Sequence, residues 1–313
     1  MNKITDIVPP KNKMVLFKWL YSGQLKLNPL WQKWGYRCKF VLRSLFLAPR
    51  TFNWLEHLAN YRLLGYFLSR QTNLPCKLQR PYLSTCMKNK ECLQALVYHY
   101  DFLSSHNDKV THAFYGEKAY LLAELTAKND DIIRLFIQAE DKYAREGEIS
   151  LYAYDQNNVD LATLTFSIIE YQGKSTLFIA GLQGSNHQDA RSAIQQATKA
   201  CFGLFPKRLV VESALILANF FQLEQIVAVS NTTHIYNNWR YKSRFKQIHS
   251  DFNDFWQTID GKENSEGLFI LPNNVARKPI EDIVSKKRSE YRNRYALLDT
   301  LIEKINNQLS TLQ

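Results

Sequence analysis

The residues best suited to proton transfer and anion capture lie between positions 177 and 236. His234 follows an apolar stretch, Gln225 to Ser230, and is flanked by Asn231, Thr232 and Thr233. An imidazole titrates near neutrality and is the usual general base. His234 is therefore the candidate catalytic base, the plainer alternative being a loop histidine held by hydrogen bonds. Glu212 stands inside VVESALIL. A carboxylate in such a segment needs a partner or a raised pKa, so Glu212 is either a catalytic acid or an ion-pair partner of Arg208 or Lys199. Upstream, an apolar run ends at Gly181-Leu-Gln-Gly184, a polar turn spans Ser185 to Asp189, and a helical pattern follows from 190 to 201, stopped by Gly203 and Pro206. A strand, a glycine turn and a helix form the commonest backbone anion site, because the first N–H groups of the helix are free and its dipole favours negative charge. Gln183, Gly184, Ser185 and Asn186 are thus expected to bind a ligand. Arg191 and Lys199 would either hold phosphate or form a solvated face, and His187 and Asp189 read as helix-cap chemistry. A second basic set, Lys287, Arg288 and Arg292, lies in SKKRSEYRNRY. It is suited to a phosphate-bearing lipid or nucleotide, or to pairing with acids elsewhere in the fold.

The elements that must position these groups change character along the chain. Residues 36–70 read as two helices divided at Pro49, with Asn53 as the cap of the second. A turn follows at 73–75, then a helix over 88–105 and a short one over 114–127. Period-two alternation takes over at 131–139, 148–155 and 162–169, with a return strand at 175–180 after a hairpin loop, as in an antiparallel meander. Two helices lead to a strand at 225–230. Another strand is expected at 268–271 and a long helix from 283 to about 308. The fold class is α+β: a basic helical N-terminal region, 1–80, and a domain over 81–313 with a mixed, largely antiparallel sheet and flanking helices.

Composition bounds the function classes. The chain has 313 residues, 45% hydrophobic and 22% charged, as in a globular protein rather than a disordered one. Forty Lys and Arg face 29 acids. Ten of those cations lie in the first fifty residues against one acid, Asp6, a local charge of +9. Such a segment suits an anionic membrane surface, a polyanion or an acidic ligand, or else a solvated arm. Trp19, Trp31 and Trp34 beside lysines suit a membrane–water interface, or packing of the arm on the domain. Nucleic acid ranks below these, since no DNA- or RNA-binding motif accompanies the charge. The five cysteines, Cys38, Cys76, Cys86, Cys92 and Cys201, form no CxxC pair, so free thiols and no metal site are expected. Lys18 interrupts the first apolar run and no long uncharged stretch follows. The expectation is a cytoplasmic protein without a signal peptide, soluble or peripheral to the inner membrane.

Read in order, GLQG (181–184), ATKACFGLFPK (197–207), AVSNTTHIY (228–236), DFNDFW (251–256) and SKKRSEYRNRYALLD (285–299) make the chain resemble the VirK/YbjX family. YHYDFL (98–103) and REGE (145–148) fit it too, and the resemblance runs from about Pro81 to Leu301. It implies a Gram-negative, virulence-associated protein that supports envelope components, through antimicrobial-peptide resistance or display of outer-membrane proteins or lipid A. The resemblance supplies no catalytic residues. The element order also resembles the GNAT-like acyltransferase layout, which implies acyl-CoA or an acyl carrier protein as donor. In that layout a Gln/Arg-x-x-Gly-x-Gly/Ala turn takes the pyrophosphate. Here Gln183-Gly184-Ser185-Asn186 occupies the comparable place without matching the motif, as in the toxin-activating lysine acyltransferases, whose turn is also atypical.

Overall fold

Residues 4–185, 190–241 and 251–313 are described by a computed structural model. Short helices build the N-terminal region: α1 (Lys13–Ser22), α2 (Pro29–Gln32), α3 (Trp34–Phe46), α4 (Ala48–Asn60) and α5 (Leu64–Arg70). Asn12 and Asn28 cap the first two by accepting from backbone N–H groups of the opening turn. Pro49 does divide two helices, but it does so from the first turn of α4, where its missing N–H has no partner to lose. Asn53, expected as the cap, therefore lies inside α4. Next come α6 (Asn89–Ser105) and α7 (Asp108–Phe114).

The helix expected over 114–127 is not formed. Beyond α7 the chain enters β1 (Tyr120–Thr126), which pairs antiparallel with β2 (Ile132–Gln138). Leu, Ala and Glu favour helix in isolation, but here Glu124 faces Arg134 across the ladder and pairs with it at 2.8 Å. Cross-strand pairing and burial override the local preference.

The sheet continues through β3 (Ile149–Tyr154), β4 (Asp160–Tyr171) and β5 (Lys174–Gly184). Gln172 and Gly173 turn the β4–β5 hairpin with φ of 53° and 75°, the positive values a type I′ turn requires. After α8 (Ala190–Ala200) and α9 (Pro206–Phe220) come β6 (Gln225–Ala228), α10 (Phe252–Gln257), β7 (Lys262–Glu263), β8 (Phe269–Leu271) and α11 (Arg288–Ser310). The strand order is β1-β2-β3-β4-β5-β6-β8-β7. Every neighbouring pair is antiparallel except β5 and β6, which run parallel and are joined through α8 and α9. Leu161 to Ile169 are all buried, so both faces of β4 are covered, by α6 and by α9. The class is α+β, with an open, mostly antiparallel eight-stranded sheet behind a helical N-terminus.

The tryptophans of the N-terminal region divide between two roles. Trp31 is fully buried and donates from Nε1 to the Thr72 carbonyl at 2.8 Å, and Trp54 donates likewise to the Leu74 carbonyl at 2.9 Å. Trp19 packs half-buried on the same core, whereas Trp34 is exposed. The segment 71–82 is thus gripped by the helices before it. Replacing Trp31 with alanine removes a large buried ring and strands that carbonyl. The expected loss is about 3–5 kcal/mol of unfolding free energy, measured by urea denaturation.

Candidate functional site

The parallel pair β5–β6 is short. It runs from Thr176 opposite Gln225 to Ile179 opposite Ala228, and Val229 N–H closes it on the Ile179 carbonyl at 2.9 Å. The chain after β6 then turns away at Ser230, while β5 continues to Gly184 along β4. Among the described residues no strand pairs with Ala180–Gly184 on the side away from β4.

Three side chains from three elements meet at this corner. Glu146, in the loop before β3, accepts from Gln183 Nε2 on one carboxylate oxygen at 3.1 Å and from His234 Nε2 on the other at 3.2 Å. His234 Nδ1 accepts from the Tyr236 backbone N–H at 3.4 Å, which places the ring proton on Nε2. The ring stacks on Phe252 at 5.0 Å and is 1% exposed. Its loop is pinned from the other side, since the Thr233 carbonyl accepts from Ser84 Oγ at 2.7 Å and from the Thr85 N–H at 2.9 Å. Gly181 is part of the same device: a Cβ there would lie 2.5 Å from Glu146 Oε2. Gly184 is not, for its nearest neighbours would be Ile194 and Lys207 at 3.7 Å. Gly147 lets the loop lie on β4, where a Cβ would meet the Phe166 carbonyl at 2.7 Å.

Two residues on, Glu148 forms a second buried centre. Its side chain is wholly buried, ion-paired with Lys77, and accepts from Tyr82 Oη at 2.6 Å and from Tyr100 Oη. Gln71 accepts from Lys77 and donates to the Glu148 backbone carbonyl at 2.7 Å. Burial pushes the Glu148 carboxyl up most strongly, but Lys77, His99 and the hydrogen bonds from Lys77 and Tyr100 together hold it below the ordinary carboxylate range. His99 sits behind Tyr100. Its Nδ1 accepts from the Ile168 N–H at 3.1 Å, its Nε2 faces Tyr115 Oη at 3.2 Å, and burial lowers its pKa to about 4.

A cavity of about 140 Å³ reaches Lys77 and Tyr82 of the second centre and is lined also by Arg80, Lys142, Arg145, Tyr236 and a single acid, Asp141. Arg145 lies over the Tyr241 ring at 4.8 Å and donates to its hydroxyl. The cavity is basic and of a size for one small anionic group.

The other residues singled out in the sequence lie elsewhere. Glu212 is on α9 and pairs one turn away with Arg208 at 2.7 Å, on the wall of a separate groove of about 630 Å³ between α9, α11 and residues 274–278. Arg191 and Lys199 are exposed on α8. Ser185 directly follows β5, whereas Asn186, His187 and Asp189 fall outside the described residues. Lys287 and Arg292 are exposed. Arg288 donates to the Ile283 and Glu281 carbonyls at 2.9 and 3.1 Å, and Arg294 to the Phe202 carbonyl at 2.8 Å. Of this basic set only Arg288 is engaged in closing the start of α11, and the helix packs on β1 and α9 and not at the β5–β6 corner. Burial pushes the Cys92 and Cys201 thiols up to about 12, which suits packing rather than nucleophilic attack. Sequence reasoning missed Glu146, Glu148, Lys77, Tyr82 and Tyr100 as a group. The available signal was EGEISLYAY, where two acids run straight into a buried strand and must find partners there.

Two outcomes follow from this geometry. Gly181→Ala drives a methyl group into the Glu146 carboxylate and is expected to cost about 1–3 kcal/mol, while Gly184→Ala meets only ordinary contacts and stays near wild type; thermal melts of the two variants side by side test the contrast. His99 is neutral when folded, with a pKa of about 4, and takes a proton at about 6.5 when unfolded. The unfolded chain therefore binds more protons between those values, so stability present above pH 6.5 is lost as pH falls towards 4, by up to about 3 kcal/mol. His99→Asn, which keeps an acceptor for the Ile168 N–H but does not titrate, should flatten that stretch of the stability–pH profile.

Residues 29–307 match the family described as protein of unknown function (DUF535). The chain is 40% identical over 291 residues to the uncharacterized protein YbjX of Escherichia coli K12, covering 93% of this chain and 88% of that one. It is also 33% identical over 178 residues to an uncharacterized protein of Haemophilus influenzae Rd, covering 56% of this chain and 58% of its relative. The motifs around the corner, from REGE to AVSNTTHIY, fall within the matched span. By the extent of both matches, the chain belongs to the VirK/YbjX family of proteins of unknown function, DUF535.

Proposed function

We propose that the β5–β6 corner is a donor site for an acyl thioester and that the protein is a GNAT-like acyltransferase acting on an envelope lipid or protein. The observation that supports this reading is that β5 runs on to Gly184 past the short parallel pair, and among the described residues no strand pairs with Ala180–Gly184 on the side away from β4. The pantetheine arm of acyl-CoA or of an acyl carrier protein contains two amides, and an extended chain with amides pairs with a free strand edge as a peptide does. In this reading the acceptor's amine or hydroxyl attacks the thioester carbonyl, the C–S bond breaks, and the thiolate leaves as the thiol once protonated. His234 takes the acceptor's proton at Nδ1, displacing the long contact from Tyr236 N–H, and Glu146 steadies the resulting imidazolium through Nε2–H. The basic cavity lined by Arg80, Lys142 and Arg145 receives an anionic group of the acceptor. The envelope setting is the one implied by the family resemblance.

The test is thermal denaturation of the purified chain with lauroyl-CoA, lauroyl-acyl carrier protein or coenzyme A alone. A ligand that binds only the folded state stabilises it by about 2.7 kcal/mol at a hundred times its Kd. A rise in Tm with an acylated donor is expected, abolished in Gly184→Trp, whose side chain would fill the space beside Ile194 and Lys207. No shift with either acylated donor would overturn the proposal.

A further inference from the structure

The outer surface of α3 carries four large apolar side chains in water: Trp34 at 67%, Leu42 at 56%, Leu45 at 64% and Phe46 at 87% exposure. At 100° per residue they fall within an arc of about 120°, a single unpartnered stripe opposite the face that buries Phe40 and Ser44. Scattered exposed apolar residues need no explanation, but a contiguous apolar face does. The surface continues beyond the helix. A groove of about 290 Å³ joins Leu47 and Arg50, just past α3, to Trp239 and Arg240, and Trp239 is 75% exposed. Cations surround this face: Lys33 and Lys39 are exposed on and beside α3, with Arg43 and Arg50 half-buried nearby, and Lys11, Lys18 and Lys26 are exposed on the same basic segment.

We propose that this face docks the protein on an anionic lipid bilayer, with Trp34, Leu42, Leu45 and Phe46 inserted at headgroup depth and the surrounding lysines and arginines against lipid phosphates. Charge decides between a bilayer and another occupant. The exposed Lys33 and Lys39 beside the stripe, in a segment with a net charge of +9 over its first fifty residues, disfavour a second copy of the same surface and favour a negatively charged one. Tryptophan beside aliphatic residues, rimmed by lysine, is the composition that partitions into a membrane interface. Among the described residues no helix is long and apolar enough to cross a membrane, so the attachment is peripheral. The position of the face gives it a consequence for the site. Arg80, Pro81 and Tyr82 line both the groove beside Trp239 and the basic cavity that reaches Lys77 and Arg145, so docking would bring that cavity towards the headgroup layer. The docking proposal stands on surface composition and does not require the donor reading.

Flotation of the purified chain with phosphatidylcholine vesicles, with and without phosphatidylglycerol, tests it. Binding is expected to the anionic vesicles, weakened by high salt and by Lys33→Gln with Lys39→Gln. A variant carrying Trp34→Gln, Leu42→Gln, Leu45→Gln and Phe46→Gln is expected to bind at least about tenfold more weakly, with an unchanged melting temperature because these side chains face solvent. Should that variant melt early, quenching of tryptophan emission in the unmodified chain by brominated lipid gives the same answer, and its absence counts against insertion. Failure of the wild-type chain to float with anionic vesicles would overturn the proposal. So would retained binding by the folded apolar variant, or light scattering that shows a dimer, broken by the same four substitutions, with no lipid binding.

Discussion

A carboxylate with no access to water must be surrounded by donors or it will not stay ionised, and Glu148 sets that requirement at the centre of this molecule. Lys77 and Gln71 come from the N-terminal helical region, Tyr82 from the segment leaving it, and Tyr100 from α6. Each element is therefore tied to the entrance of β3 by a hydrogen bond to Glu148 or, for Gln71, to its backbone carbonyl. Ion pairs in such places contribute little net stability over an apolar core, because desolvation offsets the attraction, but removing one partner is severe. Their effect is to fix geometry. Glu148 locks the 145–148 segment between the helical layer and the sheet, and so determines where Glu146, two residues earlier, can reach.

The corner at the end of β5 depends on that placement. Glu146 crosses to touch both Gln183 and His234 only because Gly147 lets the loop lie on β4 and Gly181 leaves room for the carboxylate. In the GLQG motif, then, the two glycines differ in kind. The first makes room for a buried charge, and the second stands where the strand ends against α8 and α9. The exposed stripe on α3 belongs to a different level of organisation, since it is held outward by the same helical packing that buries Trp31 and Phe40 on the inner face.

Much of the architecture was legible in the sequence where one local rule acted alone. Alternation in 148–155 and 162–169 gave strands, and the 3.6-residue spacing over 88–105 gave α6. The rule failed where tertiary pairing outweighed propensity, at Tyr120–Thr126, and where a proline opened a helix rather than ended one, at Pro49. For the candidate site, His234 and Gln183 could be picked out by residue type, and each bonds a different oxygen of the same carboxylate. Their common partner Glu146 could not, because a contact across 88 positions leaves no trace in local spacing. Glu212 stood out as an acid among apolar residues, yet its companion Arg208 lies one turn away on the same helix. Lys77 was hidden for a similar reason, since LPCKLQ shows nothing of the carboxylate 71 residues later that it neutralises.

The hydrogen bond from Ser84 to the Thr233 carbonyl spans 149 positions of chain. Closing a segment of that length carries an entropic penalty that grows with the logarithm of its size, and the bond can form only after the sheet and the α8–α9 crossover have brought both ends together. The pocket around His234 is therefore built from non-local contacts, which the paired strands and the crossover hold in place. The 230–236 loop is nonetheless tightly held, with Ser230, Thr233, His234 and Ile235 all buried. A histidine shut away from solvent thus owes its aim to partners 88 and 149 positions away in the chain, Glu146 for the ring and Ser84 for its loop.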